Sequence, residues 1–257
     1  MKTRKSLLAL SLLATSALAH AGGEYSFANV SANWLDWSDR TTEQSGKRDF
    51  GYLEAEGGLG AKWGELYGFF DLENPGKGNN GTGTKDRRYT TKVIGRYNLT
   101  DIGGVPVQLY AHVYDTRGNE FFTQNRVLGL GTDLSFGALS IKPFFGVHNE
   151  MDSGQPGSAS GFNGFMTGYV MLYPFQAFGQ NLMLTQWHET ELDRQDKFIG
   201  IYKSGGQPRV GQNGAVALWW TPTKEVTTGI QYRYADQKLG STAYQNAVIY
   251  SIKYNIK

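Results

Sequence analysis

Polar and apolar residues alternate along most of this 257-residue chain. In YLEAEGGLGAKWGELYGFFDLE, residues 52–73, one row holds Leu53, Ala55, Leu59, Leu66, Phe70 and Leu72. The other holds Glu54, Glu56, Tyr67, Phe69, Asp71 and Glu73. A period of two is that of a β-strand, whose successive side chains point to opposite faces. Applied throughout, with turn residues as punctuation, the rule predicts twelve strands: 25–37, 50–61, 65–73, 88–99, 105–115, 125–134, 139–149, 164–173, 181–189, 213–221, 226–235 and 246–256. No helical period of useful length competes, and no repeat of fixed length appears.

The connections alternate as well. SDRTTEQSGKR, NPGKGNNGTGTKD, TRGNEFFTQ, EMDSGQPGSASGFN, the segment from Thr190 to Gln212 and DQKLGSTAYQ are long and polar. Between them fall the short KWG, TDIGG, SFG, PFQAFG and PTKE. A transmembrane up-and-down antiparallel β-barrel of about 12 strands has short turns at the periplasmic rim and long loops outside. An even strand count also returns both chain ends to the short-turn side. A secreted sandwich with Greek-key crossings has no reason to alternate in this way. KFIGIY, inside the longest connection, reads as a further strand pair or a folded flap.

In such a barrel the usual polarity is inverted, with the apolar row facing lipid and the polar row facing the lumen. Four further strands obey the rule. Tyr89, Val93, Tyr97 and Leu99 oppose Arg88, Thr90, Lys92, Ile94 and Arg96. Val105, Leu109 and Val113 oppose Gln108, Tyr110, His112 and Tyr114. Leu139, Ile141, Phe145 and Val147 oppose Ser140, Lys142, Phe144, His148 and Glu150, and Val248, Tyr250, Ile252, Tyr254 and Ile256 oppose Ser251, Lys253 and Asn255. An Arg or Lys on the lipid face costs about 2–4 kcal/mol near the midplane, so the charged rows belong inside. Aromatics near strand ends fit the two interfacial girdles: Trp34, Trp37, Trp63, Tyr97, Tyr173, Trp220 and Tyr254.

Composition adds the compartment. MKTRK is a basic n-region, SLLALSLLATSAL a short apolar run, and ALA or AHA a small-residue cleavage site. Residues 1–21 are therefore expected to be a cleaved signal peptide, with 22–257 the mature barrel. No later run is long and apolar enough for a membrane helix. With no cysteine there is neither a disulfide framework nor a thiolate metal site. The formal net charge of +2 gives no nucleic-acid footprint. The expected compartment is the bacterial outer membrane, among its lipids and lipopolysaccharide, reached through the barrel-assembly machinery.

The lumen row carries the candidate chemistry. Glu54, Glu56, Asp71 and Glu73 make an acidic wall, and Arg88, Lys92 and Arg96 a basic one. Tyr67, Phe69, Tyr110, Tyr114 and Phe144, with His112, lie between them. Aromatic faces beside hydrogen-bonding groups suit a flat, uncharged, hydroxylated solute such as a nucleoside, since bases stack on aromatic rings with about 1–3 kcal/mol each. The alternative is that the charges pair only to hold the interior together. Two rival functions are weighed. A barrel hydrolase of lipids or peptides would need a Ser-His or Asp-His constellation, for which His188 with Asp193 at the loop rim is the candidate. A non-conducting structural barrel or phage receptor would have a plugged lumen. No cofactor or metal is expected.

YLEAEGGLGAKWGELYGFFDLENPG resembles the signature region of the Tsx/OmpK family of nucleoside-specific outer-membrane channels. The matching residues are Tyr52, Leu53, Glu54 and Glu56 on one strand, then Tyr67, Gly68, Phe69 and Asp71 on the next. VLGLGTDLSFGAL, residues 127–139, is similar to a second family block. The resemblance implies a monomeric twelve-stranded barrel that passes nucleosides through a narrow, aromatic-lined pore, with outer loops that some members offer to phage or colicin. It implies pore-lining roles for Phe69 and Asp71, then for Glu54 and Glu56. Barrels of this kind usually end in an aromatic residue, whereas here the last residue is Lys257 and Tyr254 is the nearest aromatic.

Overall fold

The computed structural model describes residues 24–78, 86–154, 158–199 and 209–256. The expected leader, residues 1–21, lies outside them. The strands are β1 (Tyr25–Trp37), β2 (Phe50–Ala61), β3 (Gly64–Glu73), β4 (Arg88–Ile102), β5 (Val105–Arg117), β6 (Phe122–Gly131), β7 (Leu134–Phe136), β8 (Leu139–Ser153), β9 (Ala159–Ala177), β10 (Gln180–Leu192), β11 (Gly211–Trp220), β12 (Val226–Asp236) and β13 (Gln245–Asn255). Among the described residues there is one helix, α1 (Asp39–Ser45), between β1 and β2. Each strand pairs antiparallel with its neighbours, β1 pairs with β13, and the β6–β8 ladder closes the ring.

The structure has twelve staves but thirteen strands, because one stave is broken. β6 pairs with β8 from Phe122↔Ser153 to Gly131↔Phe144, and β7 resumes the same edge with Leu134↔Ile141. The break at Thr132–Asp133 is filled from inside. Arg96 Nη1 lies 3.3 Å from both Thr132 O and Pro143 O, and a Cβ on Gly131 would meet Nη1 at 2.8 Å.

Both faces follow the alternation. Leu53, Val93, Leu128, Phe145 and Ile252 are exposed on the outer surface, while Asn29, Ser31, His112, Ser140, His148 and Asn213 are buried within. Burial is inverted relative to a water-soluble domain, as a lipid-embedded barrel requires. Trp37 corrects the expected girdle. It is 8% exposed and packs with Leu35, Phe50, Ala247 and Ile249 inside the barrel. The other six proposed girdle aromatics are exposed on the outside.

The connections keep the expected sense but not a strict alternation of length. The turns at 62–63, 103–104 and 178–179 are two residues each, and Gly103 and Gly104 both have positive φ (64° and 84°), as a tight hairpin turn of this kind needs. At the opposite rim, however, residues 118–121 form a shorter link than 132–138, because β5 and β6 run further than their alternation indicates. β9 likewise continues through Pro174. Its ladder with β8 ends at Leu172, while that with β10 runs on to Ala177, so Pro174 has a free edge toward which its missing N–H costs no bond. The described part of KFIGIY holds a turn, with Phe198 and Ile199 buried; residues 200–208 lie outside the described residues.

α1 contradicts the expectation that no helix competes. Ser38 Oγ caps it, accepting from Thr41 N at 3.3 Å, and Gly46 closes it in the left-handed region at φ 67°. The helix is pinned to β13: Ser38 Oγ donates to Asn246 Oδ1 at 3.0 Å, and Thr41 Oγ1 donates to Asn246 O at 3.2 Å. Ser38→Ala is expected to cost about 1 kcal/mol locally. Faster amide exchange confined to residues 39–45 would register it; unchanged exchange there would deny the cap its role.

Candidate functional site

The barrel encloses a cavity of about 2240 Å³. All thirteen residues singled out from the sequence line it: Glu54, Glu56, Tyr67, Phe69, Asp71, Glu73, Arg88, Lys92, Arg96, Tyr110, His112, Tyr114 and Phe144. They do not form two facing walls of opposite charge. Glu73 pairs with Arg88 on the adjacent strand and also accepts from Thr90 Oγ1 at 2.9 Å. Lys92 reaches from β4 across the lumen to Glu189 on β10. Glu56 accepts from Lys253 Nζ at 2.8 Å, Tyr67 Oη at 2.7 Å and Asn29 Nδ2 at 3.1 Å. Glu54 accepts from Ser31 Oγ at 3.4 Å and lies 3.9 Å from Lys253 Nζ. Among the described residues no carboxylate clamps Arg96. It donates to the backbone carbonyls of Lys142, Pro143 and Thr132 and to Gln108, with its guanidinium 4.8 Å from the Tyr110 ring centre.

The aromatics divide into two groups. Tyr110 and Phe144 stack on each other at 4.1 Å and are 1% and 5% exposed, packed with Ile94, Val127 and Met166. His112 Nδ1 lies 2.8 Å from Tyr110 Oη. These rings form wall rather than open surface. Phe69 and Tyr114 are only half-buried, and Tyr67 meets Phe69 edge-on at 6.4 Å.

Alternation assigned residues to a face but did not reveal their partners across the lumen. Glu189 was missed, as were Glu65, Lys47, Trp187 and Arg233, all of which line the cavity. Lys142 and Tyr25 share Glu65. His148, Glu150 and Glu191 place ligand-type atoms within 4.8 Å of one another. Yet Glu191 already holds Arg194 Nε at 2.6 Å and Lys238 Nζ at 2.8 Å, so a metal cation there would meet two positive groups. The proposed His188–Asp193 pair does not form. His188 contacts Tyr234 Oη at 2.8 Å and Thr190 Oγ1 at 2.9 Å, and Asp193 faces Arg209 at 3.4 Å.

A closed antiparallel barrel, apolar outside and charge-lined within, is the architecture of an outer-membrane channel. Residues 32–256 match the family described as "Nucleoside-specific channel-forming protein, Tsx", and the chain belongs to that family. It is 28% identical over 235 residues to Outer membrane protein OmpK of Vibrio parahaemolyticus serotype O3:K6, covering 84% of each chain. Solved structures that align with it include the outer membrane channel DcaP of Acinetobacter baumannii (10% identity, TM-score 0.32, 92% of this chain and 98% of that one). Another is OprD from Pseudomonas aeruginosa (11% identity, TM-score 0.31, 90% and 93%). The family match bears out the resemblance seen in the sequence: the protein is a diffusion channel of the bacterial outer membrane that passes small solutes.

Proposed function

We propose that this channel passes nucleosides and similar small, hydroxylated solutes, with Phe69 and Asp71 as the central binding pair. One observation carries the reading. Glu56 and Glu65 each accept from two or more side chains, and Glu73 is taken by Arg88 and Thr90; the Asp71 carboxyl meets only Glu54, its cross-strand neighbour, and its Oδ1 is buried without a hydrogen-bond partner. An orphaned carboxylate oxygen facing a lumen is an acceptor held ready for a donor, since leaving it unmet costs about 1–3 kcal/mol or more. Phe69 precedes it by two residues on the same inward row, so a ring face and an acceptor stand side by side. A nucleoside offers both complements, a base to stack and ribose hydroxyls to donate. Tyr114, half-buried on β5, adds a further hydroxyl to the cavity lining. The family description and the signature match at Tyr52–Asp71 support the same solute class.

Single-channel current in a planar bilayer, with adenosine or thymidine added, tests this. Phe69→Ala is expected to raise the blocking concentration about 5- to 150-fold, the equivalent of one lost stacking contact. Asp71→Asn is expected to raise it about 10-fold or more, as for a charge-assisted hydrogen bond. Both barrels should stay folded. Unchanged block in either variant would remove that residue from the site, and block by sugars alone would change the solute class.

A further inference from the structure

Most cations in the lumen are neutralised. Lys92 is held by Glu189, Lys142 by Glu65, Lys253 by Glu56, and Arg96 by backbone carbonyls. Lys47 and Arg233 stand apart. Both line the cavity, and neither is ion-paired among the described residues. Each lies over an aromatic ring instead. Lys47 Nζ is 5.1 Å from the Trp37 centroid and the Arg233 guanidinium 5.8 Å from that of Trp187. Arg233 Nε is buried without a partner.

Arg88 joins them. Glu73 takes its Nη2, but its Nε is also buried and unpartnered, and its guanidinium lies 4.9 Å from the Phe50 ring centre. Three elements bring these groups to one end. Trp37 and Phe50 belong to a single buried cluster, and Ala247 pairs with both Trp37 and Arg233, setting all three on one rung. Lys47 follows α1 in the long connection, so this end is the long-loop mouth. Burial first, then Arg88 and Arg233, pull the Lys47 ammonium down to about 8, with Glu73 opposing. Three cations thus share one committed carboxylate. Asp71 is the other carboxylate in range of Arg233, and the two are not ion-paired.

We propose that Lys47, Arg88 and Arg233 form a phosphate-binding station at the long-loop mouth, through which the channel favours phosphomonoesters, nucleoside monophosphates among them, over their uncharged counterparts. Guanidinium groups bind phosphate oxygens through directed, often bidentate hydrogen bonds. Aromatic floors hold the side chains extended while leaving donors free. Three cations against the carboxylates of Glu73 and Asp71 leave a net positive charge, which draws anions to the entrance. The proposal goes beyond the nucleoside reading and does not depend on Phe69 or Asp71.

The test uses the full chain refolded in a planar bilayer, with solutes added on the long-loop side. Adenosine 5′-monophosphate and ribose 5-phosphate are compared with adenosine and ribose, and inorganic phosphate is added as competitor. The phosphorylated solutes are expected to block at about tenfold lower concentration, as for one charge-assisted hydrogen bond gained. Inorganic phosphate should reverse that preference. Lys47→Gln combined with Arg233→Gln should abolish it while leaving adenosine block unchanged. Neither residue is ion-paired, so the double variant orphans no carboxylate, and heat-dependent gel mobility verifies its fold. Equal block by phosphorylated and unphosphorylated solutes in the unaltered channel would overturn the proposal, as would a preference that survives the double substitution. Loss of adenosine block would count separately, against the nucleoside reading.

Discussion

Glu189→Ala is expected to destabilise the barrel by about 3–5 kcal/mol, the cost of leaving one member of a buried ion pair alone. Lys92 and Glu189 sit on β4 and β10, far apart around the ring, with side chains only 11% and 13% exposed. Their contact is therefore a strut across the lumen, not a rung along its wall. Without the carboxylate, the Lys92 ammonium keeps its desolvation cost and loses its compensation. The urea midpoint of refolded protein should fall accordingly. Lys92→Met with Glu189→Met removes both charges and should recover most of the loss, because an apolar pair of similar volume often matches a buried ion pair. Single-channel conductance should rise in the Glu189→Ala variant, since the strut narrows the path. An unchanged midpoint and an unchanged conductance would together show that the pair neither braces nor restricts the channel.

The second large effect lies on the other face. Leu128 is 59% exposed on the outer surface and is flanked on the adjacent strands by Ala111 and Val147. Leu128→Arg is expected to cost about 2–4 kcal/mol in lipid vesicles. Thr123→Arg, on the inward row of the same strand and lining the cavity, should cost about 0.5 kcal/mol or less, as at a solvated surface. The contrast between two arginines five residues apart on one strand is the measurement. Equal costs would mean that β6 does not present one face to lipid and the other to water.

Which face each residue takes was readable in the sequence because a strand repeats every two residues. A single polar row repeated in strand after strand has no low-cost place but the lumen. Trp37 shows the rule outperforming a looser reading. Trp34 and Trp37 are three residues apart and so must face opposite ways; assigning both to an outer girdle ignored that parity. α1 escaped detection because seven residues are too few for a helical period, leaving only the Ser38 and Gly46 caps as signals. Glu189 and Arg233 escaped for another reason. Alternation says inward or outward, but what an inward side chain meets depends on curvature and stagger around the whole ring, which no local pattern encodes. The break after β6 is similar, since Arg96 fills it from a strand two places away.

The β1–β13 seam has a consequence for how the barrel is made. Asn29 lies beside Asn255 and Trp37 beside Ala247, so the ring is sealed by the pairs most distant in sequence. Every partly formed sheet carries two unpaired edges until that last meeting, each a template for association with another chain. Loop closure over such a span is slow, because its entropy is lost before any bond repays it. Zippering of neighbouring hairpins can run early and quickly; joining the first strand to the last is the step that ends the exposure. A substitution weakening only the β1–β13 ladder would therefore lengthen the life of the open sheet more than it lowered the stability of the finished barrel.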